Sequence, residues 1–174
     1  MWYFAYGSDL NSQSLQEWSD RLGLVPPARG GPKGAILRNF RLCFPLYDEA
    51  WGGGVADVVP EPGKFVAGAL FDIHRISLKQ LDRFFLPEND EGRGKLPTRE
   101  RLTLPVRPYS GGEPVQAITY RLRRPEWRHV PPTSHYIGRL VEAAGQFGLS
   151  SLWVMHLQSF TSQPGSLNGK SCFA

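Results

Sequence analysis

Two stretches of the sequence carry residue types that could act together in catalysis. The first is the opening run from Met1 to Leu10, in which six apolar or aromatic residues lead directly into Gly7-Ser8-Asp9. This pattern predicts a buried strand that ends at a glycine and turns towards a helix, and such a turn presents backbone N–H groups to anionic or polar ligands. The second is the loop from Glu88 to Glu91, which supplies carboxylates for proton transfer.

Several other catalytic schemes lack the residues that they need. The sequence contains no Walker A run, no Gly-x-Gly-x-x-Gly fingerprint, no His-Glu-x-x-His and no Gly-x-Ser-x-Gly elbow. Its four histidines have no metal-ligand spacing, so we expect no metal site. Ser8 as a nucleophile would depend on a distant histidine. A turn of N–H donors and one carboxylate would suffice for an intramolecular acyl transfer, because the substrate then brings its own nucleophile.

Composition and charge are those of an ordinary globular protein. A chain of 174 residues with 41% hydrophobic residues predicts one domain with a buried core. The formal net charge of +4 comes from scattered arginines, which favours a solvated basic surface. A nucleic-acid-binding face would rest only on this charge and on the Arg-rich stretch Arg121 to Arg128. We find no signal-peptide pattern and no apolar run long enough for a membrane span, and we expect a cytoplasmic protein.

The pattern along the chain predicts an α+β fold. Alternating or continuous apolar residues indicate six short strands, the opening one and five more: Phe40–Leu46, Val55–Val59, Phe65–Ile73, Arg101–Val106 and Val115–Leu122. Three or four helices flank them, near Leu15–Leu22, from Ser77 to before Pro87, from Ser134 to Phe147 and from Ser151 to Phe160. Because strands and helices do not alternate strictly, we expect a mixed, curled sheet. Residues 1–160 form the predicted domain, and residues 161–174 form a flexible tail.

The opening turn resembles the motif of a known family. The stretch Tyr3-Phe4-Ala5-Tyr6-Gly7-Ser8-Asp9-Leu10 is similar to the Tyr-Phe-Ala-Tyr-Gly-Ser-Asn-Leu/Met turn that opens the gamma-glutamylcyclotransferase-like (AIG2-like) family. Three further stretches resemble the family in the same order along the chain: Trp51–Asp57, Val66–Asp82 and Pro131–Tyr136. The resemblance covers the chain from about Trp2 to Phe160.

The resemblance implies a fold and a reaction. The fold is a small, twisted, β-barrel-like domain. The reaction releases 5-oxoproline and a free amine or amino acid from a gamma-glutamyl substrate, because the α-amino group of the substrate attacks its own γ-carbonyl carbon. It implies no cofactor, a small-molecule partner rather than nucleic acid or a membrane, and a monomer or a homodimer.

The resemblance also assigns residues to the reaction. Glu91, which Gly92 follows, matches the general acid/base, with Glu88 as the second candidate because residues 85–90 form an insertion. The substrate-binding residues are Tyr3, Phe4, Ala5, Tyr6, Gly7, Ser8, Asp9, Leu10 and Tyr136. Asp9 replaces the usual Asn, and it either faces the substrate or points into the fold and anchors the turn. If the insertion and Asp9 abolish the chemistry, the domain is a catalytically inactive small-molecule binding or regulatory module.

Overall fold

The computed structural model describes residues 1–10, 31–86, 99–123 and 129–161. The elements follow in the order β1 (Trp2–Ala5), a single 3₁₀ turn (Ser8–Leu10), β2 (Lys33–Asp48), β3 (Gly53–Asp72), α1 (Arg75–Phe85), β4 (Arg99–Pro108), β5 (Val115–Leu122), α2 (Ser134–Gln146) and α3 (Ser151–Ser159). The helix predicted near Leu15 lies outside the described residues, and so does the predicted tail apart from Thr161.

The strands in the described ranges close into a barrel in the order β1, β3, β2, β4, β5. This confirms the predicted α+β class with a mixed, barrel-like sheet. One long antiparallel hairpin is formed by β2 and β3, and a second one by β4 and β5. Among the strands of the described residues, two short seams of paired residues attach the β4–β5 hairpin to the rest of the barrel. β4 pairs with β2 at residues 35–37, and β5 runs parallel to β1 where Trp2 and Tyr3 face Ala117 and Ile118.

The prediction of two strands at Val55–Val59 and Phe65–Ile73 is wrong, because both belong to β3. Residues 61–64 bulge out of the ladder opposite Asn39 instead of ending the strand. Asn39 and Gly63 both have positive φ, at 61° and 81°, and the Gly63 N–H donates to Asn39 Oδ1 at 3.2 Å. Asparagine and glycine are the residues that tolerate this backbone region best. The barrel therefore has five strands rather than six.

The sequence indicates the first residue of α2 more clearly than that of α1. The predicted start of α1 at Ser77 is wrong, because the helix begins two residues earlier, at Arg75, after His74, whose side chain makes no capping bond. At the start of α2, Thr133 Oγ1 accepts the Tyr136 N–H at 3.1 Å. This cap fixes the first turn of α2 and with it the position of Tyr136.

The hydrophobic core fills the barrel and continues under α2 and α3. Phe4 and Phe44 are fully buried, and Leu140 reaches the same cluster from α2. β1 and β3 approach each other so closely that a Cβ on Gly68 would lie 2.1 Å from the carbonyl oxygen of Ala5. The helices that the structure describes have 9 to 13 residues, and none of them has the length and hydropathy of a transmembrane span.

Candidate active site

The turn after β1 is held almost entirely inside the protein. Between Tyr3 and Leu10 only Ser8 is partly exposed. Six of the predicted substrate-binding residues belong to the hydrophobic core: Tyr3, Phe4, Ala5, Tyr6, Leu10 and Tyr136. The turn itself is closed by the Leu10 N–H, which donates to the Gly7 carbonyl oxygen at 2.9 Å. A ligand can therefore reach this stretch at Ser8.

Asp9 points into the fold and anchors the turn. Its Oδ2 accepts the hydroxyl of Tyr3, and its Oδ1 accepts the Gly7 N–H at 3.1 Å. Burial raises the pKa of Asp9, and the hydrogen bond from Tyr3 offsets part of the rise. Burial and the neighbouring Asp9 carboxylate likewise hold the pKa of Tyr3 well above its ordinary value. Of the two orientations that the sequence left open for Asp9, the structure has the anchoring one.

Tyr136 joins the turn to β3 and α2. Its phenol oxygen accepts the Ala56 N–H at 3.0 Å and also faces the backbone N–H of Ser8. Its ring packs edge-on against Trp51 with centroids 4.9 Å apart. Tyr136 is almost completely buried, and burial raises its pKa above the ordinary value of a tyrosine. A neutral phenol that holds two backbone groups makes this corner of the site rigid.

Tyr6 connects the turn to a second buried carboxylate. Its hydroxyl donates to the Tyr120 carbonyl oxygen at 2.5 Å and lies 3.3 Å from Asp57 Oδ1. Asp57 also accepts the Leu122 N–H, at 3.1 Å. Burial raises the pKa of Asp57, whereas the positive charge of Arg99 lowers it. These contacts tie β3 and the turn to β5, because Tyr120 and Leu122 both belong to that strand.

A layer of rings lies between the turn and the end of α1. The ring of Tyr120 is 6.1 Å from that of Tyr3, and Phe85 stacks on Tyr120 at 4.4 Å with the planes 19° apart. The guanidinium carbon of Arg99 lies 5.6 Å from the centre of the Phe85 ring. Asp82 is bonded to this layer, because its two oxygens accept hydrogen bonds from Tyr120 Oη at 2.8 Å and from Arg101 Nη1 at 2.6 Å.

Both predicted acid/base residues, Glu88 and Glu91, lie outside the described residues. The positions that flank them are described: α1 ends at Phe85, and β4 begins at Arg99. Both of these residues belong to the ring layer beside Tyr3 and Tyr120. The described residues on the two sides of the segment that contains the two glutamates therefore meet in this ring layer. Among the described residues, no group of three or more His, Cys, Asp or Glu side chains is placed to hold a metal ion.

The arrangement matches a known family over most of the chain. The sequence model described as "Gamma-glutamyl cyclotransferase, AIG2-like" matches residues 3–137. The chain belongs to this family. A gamma-glutamylcyclotransferase of Bos taurus is 26% identical over 173 residues, which cover 97% of this chain and 81% of that protein.

Solved structures share the fold of the AIG2-like chain. An uncharacterized protein from Homo sapiens superimposes with a TM-score of 0.71 at 21% identity, and the match covers 98% of this chain and 92% of the human one. A structure described as a gamma-glutamyl cyclotransferase gives a TM-score of 0.70 at 23% identity, with the same coverage of both chains. At these identities the likeness establishes the fold.

Sequence reasoning missed two charged residues of the site. Asp57 carries a detectable signal, because an aspartate inside the apolar run Val55–Val59 must find hydrogen-bond donors when that run is buried. Arg99 carries no such signal, since it is one of many scattered arginines. Its place beside the turn follows from the return of the chain into β4, which no local pattern encodes.

Proposed function

We propose that this AIG2-like domain is a gamma-glutamyl cyclotransferase that needs no cofactor. The α-amino nitrogen of a gamma-glutamyl substrate attacks its own γ-carbonyl carbon. A C–N bond forms within the five-membered ring of 5-oxoproline, and the C–N bond to the amine or amino acid breaks. One proton leaves the attacking ammonium, and one proton is returned to the departing nitrogen.

One observation carries the proposal: three family motifs that are far apart in sequence meet at one place. The turn after β1 and the first turn of α2 join where Ser8 and Ala56 present their N–H groups to Tyr136. Buried hydrogen bonds of Tyr3, Asp9 and Tyr136 hold this corner, so the substrate would meet a preorganised surface. Ring closure is faster on such a surface, because a substrate held bent keeps its amino group close to its own γ-carbonyl carbon.

Glu91 is the proposed general acid/base, with Glu88 as the second candidate. Glu91 follows Leu86 by five positions, so even an extended chain keeps it within about 18 Å of the end of α1. The segment also returns to the site at Arg99. A single carboxylate that takes the proton from the ammonium and returns it to the leaving nitrogen typically accelerates such a reaction by about 10²–10⁴.

The substrate-binding part of the proposal uses the turn and Tyr136 in two ways. Ser8 contacts the ligand directly, because it is the exposed position of the stretch from Tyr3 to Leu10. Tyr3, Asp9 and Tyr136 hold the backbone of Gly7 and Ser8 in place through the bonds described above. In this proposal the protein acts on a small gamma-glutamyl molecule in the cytoplasm, and it does so as a monomer or homodimer.

The test is release of 5-oxoproline from gamma-glutamyl dipeptides and gamma-glutamyl amines, measured by chromatography. We expect turnover by the unaltered protein and a loss of about 10²-fold or more in kcat for Glu91→Gln or Glu88→Gln. Glu113→Gln is the matched control, because Glu113 lies exposed in the turn between β4 and β5. Absence of product with every substrate, or full activity in both loop variants, would refute the proposal.

A binding module on the same fold is the second candidate. The observation that favours it is that the N–H groups of Gly7 and Leu10 both donate to acceptors within the turn, so they are not available to a reacting substrate. A module of this kind binds a gamma-glutamyl compound in calorimetry but forms no 5-oxoproline on prolonged incubation. Turnover that depends on Glu91 or Glu88 would exclude it.

A further inference from the structure

The anionic head of a gamma-glutamyl substrate needs donors beyond the backbone N–H groups of Gly7, Ser8 and Leu10. The substrate carries an α-carboxylate beside its reacting amino group. In the turn, the Gly7 N–H is bound by Asp9, the Leu10 N–H by the Gly7 carbonyl, and the Ser8 N–H faces Tyr136. Asp9 moreover adds negative charge to the turn when it is ionised, and this charge would repel an approaching anion. A positive side chain at the mouth would resolve both difficulties.

Arg99 is a cation in that position. Its guanidinium stacks over Phe85, which stacks on Tyr120 beside Tyr3, so it lies at the edge of the ring layer next to the turn. Its backbone pairs with Leu122, whose N–H donates to Asp57 Oδ1, and its charge lowers the pKa of Asp9, Asp57 and Tyr136. Arg99 is also only partly buried, so a ligand from solvent can reach it.

The electrostatic surroundings leave Arg99 able to accept a ligand anion. Within the described part of the chain, Arg101 is paired with Asp82 and Arg121 with Glu100, whereas Arg99 forms no ion pair. The two acids that feel its charge are deeply buried, with Asp9 6% and Asp57 1% exposed, and both already accept hydrogen bonds. A guanidinium stacked on a ring keeps its N–H edge free for a bidentate carboxylate.

We propose that Arg99 binds the α-carboxylate of the gamma-glutamyl group and so determines specificity for a substrate with a free α-carboxylate. The inference rests on the proposed function for the identity of the ligand. Arg99 fixes the head of the substrate. The residue takes no proton and forms no covalent bond.

Binding by calorimetry tests the inference without turnover. The probes are 5-oxoproline, which keeps the carboxylate, and 2-pyrrolidinone, the same ring without it. We expect the unaltered protein to bind 5-oxoproline at least tenfold more tightly, Arg99→Gln to lose this preference, and Arg99→Lys to keep part of it. Arg107→Gln is the matched control, because Arg107 is exposed near the other end of β4. Thermal unfolding of each variant identifies any that fail to fold.

The outcomes separate this inference from the proposed function. If the protein forms 5-oxoproline and Arg99→Gln leaves both KM and the carboxylate preference unchanged, the inference is refuted and the function stands. If no product forms but the preference is present and depends on Arg99, the inference stands and the enzyme proposal fails. Equal binding of both probes by the unaltered protein refutes the inference in either case. A stability loss in Arg99→Gln with unchanged binding means that Arg99 only compensates Asp9 and Asp57, which also refutes it.

Discussion

Asp9 is a buried acid whose protonation is linked to folding. Because burial raises its pKa in the folded state, the folded protein binds more protons than the unfolded chain above the ordinary aspartate value of about 4. The stability that Asp9 contributes is complete below that pH and is lost as the pH rises through the raised folded-state value. An asparagine in its place does not titrate.

We therefore expect Asp9→Asn to become more stable relative to the unaltered protein as the pH rises above about 4. Urea unfolding followed by tryptophan fluorescence at several pH values measures this difference. Asp57 is present in both proteins, so its own titration cancels. A flat difference for Asp9→Asn would contradict the raised pKa.

A single oxygen atom at Tyr136 holds two backbone groups of the site. Tyr136→Phe removes the acceptor of the Ala56 N–H and the oxygen that faces the Ser8 N–H. Each buried N–H left without a partner costs about 1–3 kcal/mol in the free energy of unfolding. Tyr47→Phe, at a half-exposed tyrosine on β2, should cost much less. Equal losses in urea unfolding would show that the phenol oxygen of Tyr136 does not anchor the turn.

At the level of elements, two helix caps allow stability and activity to be separated. Thr133 caps α2 by accepting the Tyr136 N–H, and Ser150 caps α3 by accepting the Trp153 N–H at 3.3 Å. Replacement of either residue by alanine should cost about 1 kcal/mol of stability. Only Thr133→Ala should also raise the KM for a gamma-glutamyl substrate, because α2 carries Tyr136. A KM that rises equally in both variants would mean that general loosening, rather than Tyr136, limits binding.

Elements with strong local signals were predictable from the sequence. The β4–β5 hairpin and the helices α2 and α3 lie close to their predicted bounds, because capping residues and turn glycines mark their ends. The division of β3 was mispredicted, since Pro60-Glu61-Pro62-Gly63 has the composition of a chain-reversing turn. Only the pairing with Asn39 across the hairpin converts that segment into a bulge, and this pairing is not visible in local sequence.

The site was predictable only in the part that lies within one short stretch. Tyr3, Gly7 and Asp9 bind one another across a few positions, so the opening motif contains both partners of each bond. Tyr6 bonds to Tyr120, and Asp57 bonds to Leu122. In each pair the two residues lie far apart in the sequence. Closure of the barrel brings them together, and no spacing in the sequence encodes it.

On the scale of the whole molecule, closure depends on how near β1 can approach β3. Gly68→Ala would place a methyl group 2.1 Å from the Ala5 carbonyl oxygen, so the strands must separate. We expect a loss of at least about 1–3 kcal/mol in the free energy of unfolding. Gly138→Ala on α2 is the matched control, since nothing lies within 4 Å of its added Cβ. It should stabilise the protein by about 0.5–1 kcal/mol, and similar effects at both positions would contradict the tight approach.

Because the seams that attach the β4–β5 hairpin are short, the stability of the closed barrel should depend on whether a ligand is bound. β5 meets β1 over two residue pairs, and the buried bonds of Tyr6 and Asp57 reinforce that contact. A ligand that touches both Ser8 and Arg99 would bridge the turn and the hairpin and stabilise the closed barrel. At 100 times its Kd such a ligand contributes about 2.7 kcal/mol. The melting temperature then ranks gamma-glutamyl amines by affinity before any of them is shown to react, and an unchanged melting temperature with every compound would argue against a bridging site.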